Sequence, residues 1–137
     1  LFRSSAASDV YKRQIYGEYV TEYTSKGSNL FAIITNDGWW DVSEGHKQHL
    51  SYAKLRAIEN RRNIVRSANT GISAVINYKG EIIQSISYGE EGFIKSEVPL
   101  FKKITFYVKY GDYIFRISLF FLIIILLHFV ATTLKTK

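Results

Sequence analysis

An α/β fold, with helices layered on a sheet and one membrane-spanning helix at the C-terminal end, is predicted by three observations. Leu30–Thr35 (LFAIIT) is a continuous apolar run of strand length, rich in β-formers. A helical stripe follows it, with His46, Leu50, Ala53 and Ala57 spaced i, i+4, i+7 and i+11 among good helix formers. Beyond that, NIVRSANTG and ISAVINYKGEIIQSIS supply β-rich arms punctuated by turn residues. Strand, helix, strand and hairpin in that order describe a layered α/β unit without fixing the strand order.

Residues 1–14 (LFRSSAASDVYKRQ) have no apolar period and lack the apolar core of a signal peptide. They read as a non-native, adaptor-derived segment, with a native flexible arm as the alternative. Residues 15–24 (IYGEYVTEYT) place Ile15, Tyr19, Val20 and Tyr23 on one face of a short amphipathic helix, and Gly27 suits the position just past its end. The apolar run at Leu30–Thr35 reads as a strand buried on both faces. Asn36, Asp37 and Gly38 then carry turn chemistry, and Trp39 and Trp40 stand side by side after the turn. A pair of such large apolar rings either caps a core or lines something greasy. The following helix covers residues 46–62, with Ser43 or Glu44 near its cap. The hairpin turns at Asn77, Tyr78, Lys79 and Gly80, and residues 93–98 and 104–108 are further extended candidates.

Residues 117–134 are interrupted only by Ser118, His128, Thr132 and Thr133. As a helix they reach ~27 Å, close to the ~30 Å hydrocarbon layer. Tyr110 and Tyr113 suit one interfacial belt, and Lys135 and Lys137 the far headgroups. Lys102, Lys103, Lys109 and Arg116 precede the span, so a bare positive-inside count puts the domain in the cytoplasm. That count carries little weight for a terminal span, because earlier helices set topology.

Composition narrows the function classes. The 137 residues suit a single domain, and the net charge of +6 is a mild excess compatible with an anionic membrane surface. No basic stripe with interleaved aromatics points to nucleic acid. The absence of cysteine excludes disulfides and cysteine–zinc sites, leaving the compartment open. His46 and His49 are three apart on a helix but have no third ligand at a suitable spacing, so neither a metal nor a cofactor is expected. Glu59 lies within pairing distance of Arg56, Arg62 and Asn63, which favours a structural ion pair over general-base duty. Arg66, Ser67 and Asn69 are candidates for a site wall, with holding the turn as the simpler role. His128 is expected neutral and facing another helix. Lys102 and Lys103 either touch anionic headgroups or are solvated.

The stretch RAIENRRNIVRSANTGISAVINYKGEII, residues 56–83, resembles the carbon–nitrogen hydrolase (nitrilase) superfamily. With NDGWW, HKQHLSYAKLRAIE, RSANTG, YGDYIFR and the terminal apolar helix, it is similar to that superfamily's lipoprotein N-acyltransferases, from Ile15 onward. The resemblance implies a partial αββα sandwich over residues 15–112, followed by a transmembrane helix and short basic tail over residues 113–137. It implies a bacterial inner-membrane protein with the hydrolase-like domain on the periplasmic side. It also implies transfer of an acyl chain from a phospholipid, through a cysteine thioester, to the N-terminal diacylglyceryl-cysteine of an apolipoprotein. A thiolate suits that reaction as both nucleophile and leaving group. A carboxylate takes the protons, and a lysine with a backbone N–H holds the oxyanion.

In that family the glutamate and lysine lie upstream, and the cysteine opens a Cys-Tyr-Glu run. Counting back places the nucleophile at Tyr11, with Lys12 and Arg13 in the next two positions. The chain is therefore expected to be a catalytically inactive fragment of an enzyme that is monomeric when intact. Asn36, Asp37 and Gly38 would shape the turn at the mouth of the site, with Trp39 and Trp40 facing acyl chains. Two alternatives are a membrane-tethered nitrilase-type amidohydrolase and a catalytically dead membrane-anchored module. Half of a sandwich should also expose the apolar face of its sheet, so the isolated fragment is expected to aggregate or depend on detergent.

Overall fold

The computed structural model describes residues 13–40 and 43–135, with the Trp40 side chain outside that description. Tyr11, Lys12 and Lys137 also lie outside the described residues. Helix α1 (Gly17–Ser25) leads into β1 (Leu30–Thr35), and a single 3-10 turn (Gly38–Trp40) leads toward α2 (Gly45–Asn60). Strands β2 (Asn63–Ala68), β3 (Ser73–Ile76) and β4 (Ile82–Ile86) follow, then α3 (Phe106–Tyr110) and α4 (Tyr113–Lys135).

The sheet order is β1-β2-β3-β4. β1 and β2 run parallel, with Phe31 opposite Ile64 and Ile33 opposite Arg66, so α2 is the crossover helix that parallel neighbours require. β2–β3 and β3–β4 are antiparallel. The predicted hairpin turn is present: the Gly80 N–H reaches the Asn77 carbonyl at 2.8 Å, and Gly80 has φ +82°. A Cβ there would lie 2.7 Å from Ile58 Cδ1, so the turn needs glycine for both conformation and space.

The core lies between the helices and one face of the sheet. The predicted α2 stripe is buried throughout, with Leu50, Ala53 and Ala57 packing on Phe31, Ile33, Ile64, Ala74 and Ile76. Helix α1 contributes Val20 but is rotated from the sequence expectation. It starts at Gly17, so Ile15 precedes it and is exposed, and Thr21 and Thr24 turn inward beside Val20. The Thr24 hydroxyl satisfies itself on Asn60 Oδ1 at 2.8 Å. The helix ends as Gly27 predicts, in a Schellman motif: Ser28 N–H bonds the Tyr23 carbonyl, and Gly27 N–H the Thr24 carbonyl.

Three expectations change. β1 is buried on one face only: Phe31, Ile33 and Thr35 point to the helices, whereas Ala32 and Ile34 are exposed. No second layer covers that side among the described residues. Val65, Val75, Ile86 and Phe93 share with them an open groove of about 430 Å³. Residues 93–98 are irregular rather than extended. Residues 104–108 enter helix α3 because Thr105 caps it, accepting the Val108 N–H at 3.1 Å and donating to the Glu59 carbonyl at 2.6 Å.

A buried arginine ties these parts together. Arg62 donates to the carbonyls of Ser28 (2.7 Å), Asn60 (3.2 Å), Arg61 (3.1 Å) and Lys103 (2.8 Å). It thereby joins the α1–β1 loop, the end of α2 and the approach to α3. Helix α4 is 23 residues long, with a mean hydropathy of 2.6 in its most apolar window, and none of that window is buried. By length and composition it is a candidate membrane span.

Candidate functional site

The site forms where β1 and β2 end. In a parallel pair, strand ends and the loops that leave them create a crevice where side chains converge. Asn36 and Asp37 leave β1 together and take opposite roles. Asn36 is exposed, and its Oδ1 accepts the Gly38 N–H at 3.1 Å, closing an Asx turn. Asp37 is fully buried. It accepts from the Thr35 hydroxyl at 2.7 Å, from His49 Nδ1 at 2.9 Å and from the Arg66 guanidinium.

This node has a defined protonation state. Burial raises the Asp37 pKa, but the hydrogen bonds from His49 and Thr35 and the charges of Arg66 and His49 outweigh burial and hold it below the ordinary aspartate value. An ionised carboxylate only accepts hydrogen bonds, so His49 must carry its proton on Nδ1. Arg66 also donates from Nε to the Ile72 carbonyl at 3.1 Å, bracing the loop between β2 and β3. The Asn69 N–H closes onto the Thr35 carbonyl at 3.0 Å. Gly71 completes the fit, since a Cβ there would stand 2.4 Å from Asp37 Oδ2.

The predicted residues are only partly brought together. Asn36, Asp37, Gly38 and Arg66 meet at the turn, and Arg66 takes its turn-holding role through a buried charge pair. Ser67 points to the opposite face and lines the open groove. Asn69 is exposed and enters through its backbone. Trp39 is 83% exposed on the 3-10 turn, so its ring stands clear of the core. The two histidines diverge: His46 stacks on Tyr88 with ring centroids 4.5 Å apart, while His49 serves Asp37. Glu59 faces Arg56 at 2.8 Å, as the helix spacing predicts. Burial raises the Glu59 pKa; the Arg56 charge opposes that rise, and the Asp112 charge adds to it.

Sequence reasoning overlooked Thr35, His49 as a partner of Asp37, and Gln14. The Gln14 amide donates to the His49 carbonyl at 3.4 Å, so the chain just before α1 runs alongside the node. The signal for Arg66 was present in the alternation of β2. Ile64 must face the core, so Arg66, two residues on, must face it too and needs a carboxylate.

Comparison with known proteins agrees with this architecture. The profile of the carbon–nitrogen hydrolase family matches residues 10–102. The chain is 47% identical over 79 residues to the apolipoprotein N-acyltransferase of Bradyrhizobium diazoefficiens, covering 58% of this chain and 15% of that protein. It is 40% identical over 98 residues to the apolipoprotein N-acyltransferase of Geobacter metallireducens, covering 72% of this chain and 19% of the relative. With that of Chlorobaculum tepidum it shares 32% identity over 105 residues, 77% of this chain and 20% of the relative. The chain thus spans about 15 to 20% of the length of these relatives. A parallel β–α–β unit extended by a hairpin, matched by that profile over most of its length, belongs to the carbon–nitrogen hydrolase family.

Proposed function

We propose that the chain is the C-terminal part of an apolipoprotein N-acyltransferase of the bacterial inner membrane, with its hydrolase-like domain on the periplasmic side. The observation that carries this is the direct passage from a carbon–nitrogen hydrolase fold into α4, together with relatives that bear that name. In the proposed reaction a cysteine thiolate takes an acyl chain from a phospholipid and releases the lysophospholipid. The thioester then passes the chain to the α-amine of a diacylglyceryl apolipoprotein and regenerates the thiol. The chain contains no cysteine, so it does not form that thioester by itself.

The position proposed for the nucleophile is Tyr11. In the sequence it stands three residues before Gln14, whose side chain bonds the His49 carbonyl. Asn36, Asp37 and Gly38 hold the turn; Trp39 and Trp40 form a lip for acyl chains; Arg66 and Asn69 brace the wall, with Ser67 on the reverse face of β2. The ionised Asp37 is a framework group in this scheme, since all its partners are internal.

The test is acyl transfer by a full-length enzyme that carries this segment and an upstream cysteine. Incubation with phospholipid should leave a hydroxylamine-sensitive acyl adduct on the enzyme, visible by mass spectrometry. Ammonia release from small amides without that adduct would instead identify a membrane-tethered amidohydrolase. Trp39→Ala should slow formation of the adduct without altering folding, because the ring is exposed. Unchanged acylation would remove Trp39 from the lip.

A further inference from the structure

The junction of α1, α3 and α4 holds a second pocket, of about 390 Å³, away from the Asp37 turn. Its wall carries both signs of charge: Glu18 and Glu22 from α1, Lys109 from α3 and Arg116 from α4. Glu18 organises it. One carboxylate oxygen accepts the Asp112 N–H at 2.7 Å and the Arg116 guanidinium at 2.9 Å. Gly111 (φ +66°) makes this approach possible, since a Cβ there would stand 2.3 Å from the same oxygen. Arg116 also donates to the Tyr110 carbonyl at 3.3 Å, so its guanidinium is held in place with further N–H groups left for a ligand.

The covalent chain fixes the depth of this pocket once α4 is read as spanning the membrane, and the inference rests on that reading. Only Gly111 and Asp112 separate Tyr110 from Tyr113. Three Cα steps cover at most ~11 Å, and each headgroup layer is about 5–8 Å thick. The pocket therefore sits within about 11 Å of the start of the span, in the headgroup layer or just above it. The flanking surface suits that depth, with Ile104, Phe106, Tyr110 and Tyr113 exposed.

From this, the geometry points to a binding site for the headgroup of a zwitterionic aminophospholipid. Two carboxylates and two cations repel a ligand of either single sign in part, but complement a phosphate joined to an ammonium. Arg116 and Lys109 take the phosphate. Glu22 takes the ammonium. Glu22 is paired with Lys26 at 3.1 Å, an exposed i,i+4 contact that yields readily to a better partner. The acyl chains of the lipid then run along α4. The lipid here is bound and not consumed, because the pocket is separate from the proposed acyl-transfer site.

The test places a photoreactive p-benzoylphenylalanine at Val108, which lines the pocket, in the full-length enzyme. The bilayer contains phosphatidylglycerol and dialkyl-ether phosphatidylethanolamine, which has no ester to give up. Adducts identified by mass should be enriched in phosphatidylethanolamine about fivefold over its bulk fraction, the ratio that ~1 kcal/mol of preference gives. The combined Glu22→Gln and Lys109→Gln change should abolish that enrichment. Adducts that follow bulk composition, that favour phosphatidylglycerol, or that join Val108 to protein would each overturn the site. The same probe at Ile125, in the middle of α4, should give lipid adducts at bulk composition. Their absence would refute the spanning reading itself, and so tell the two failures apart.

Discussion

Replacing Asp37 by Asn tests whether the turn depends on charge or only on shape. The side chain keeps its volume and can still accept from Thr35. It loses the charge that faces Arg66 and His49, both engaged with Asp37 in the native turn. Removing one partner of a buried ion pair costs about 3–5 kcal/mol, because the other charge is left without compensation. Retention of the Thr35 hydrogen bond puts Asp37→Asn at the lower end, ~3 kcal/mol, which is about a hundredfold in a local opening equilibrium.

Amide hydrogen exchange in the intact enzyme reads this directly. The Asn69 N–H is bonded to Thr35 across the turn, and the Ala68 N–H to the Ser73 hydroxyl at 3.0 Å. Both should lose about a hundredfold of protection, unless global unfolding already limits it. The pH dependence adds a second check. The Asp37 pKa is depressed on folding, so its stabilisation is complete above the unfolded value of ~3.9 and is lost as pH falls through the lower folded value. The native turn should loosen in that acidic window, and the Asn variant should show no corresponding step. Protection within about threefold of native would mean that less than ~0.7 kcal/mol depends on the charge, refuting the reasoning.

Two further substitutions address neighbouring features. Gly71→Ala drives a methyl group against the Asp37 carboxylate and should cost ~1–3 kcal/mol by overpacking. The loss should be measured by thermal unfolding, and it should shrink when Asp37 is also Ala. Glu59→Gln should leave the melting temperature at pH 7 unchanged or slightly raised, because burial lifts the Glu59 pKa despite Arg56. A raised carboxylate pKa means stability that is fully present below the unfolded value of ~4.3 and lost as pH rises through the folded value. Native protein should therefore lose this contribution between those two values, and the variant should not. A clear drop in melting temperature at pH 7 would show that the Arg56 pair dominates instead.

The parts of the fold legible in the sequence were those written in periodicity and turn chemistry. The α2 stripe, the apolar run of β1, the Asn77–Gly80 turn and the apolar α4 each satisfy a local rule that tertiary context did not override. Helix α3 was hidden because Ile104, Phe106 and Val108 alternate like a strand. The deciding contact, Thr105 to the Glu59 carbonyl, is long-range and has no sequence signal. Legibility of the site divided in the same way. Asn36 and Gly38 announce their Asx turn locally, whereas the union of Asp37 with His49 and Arg66 depends on where the crossover returns β2. Arg66 was readable as inward-facing from Ile64, but its partner was not.

The two faces of β1 carry the widest consequence. A strand with water on one side normally alternates apolar and polar residues, yet here Ala32 and Ile34 on the open side are as apolar as Phe31 and Ile33 on the closed one. Val65 continues the open surface onto β2, Val75 beside it on β3 is already buried, and Phe93 lies 91% exposed at the margin. A surface of this kind calls for a covering layer. The relatives, five or more times longer than the matched segment, have ample chain to provide one. Residues 13–135 expressed alone should therefore bind hydrophobic dyes and aggregate without detergent, even after α4 is held in a nanodisc. Ile34→Lys with Val65→Lys should cure that aggregation in the isolated segment and prevent folding of the full-length enzyme. A full-length enzyme that tolerates both lysines with native thermal stability would show that this face meets water, and that the apolar run of β1 has some other cause.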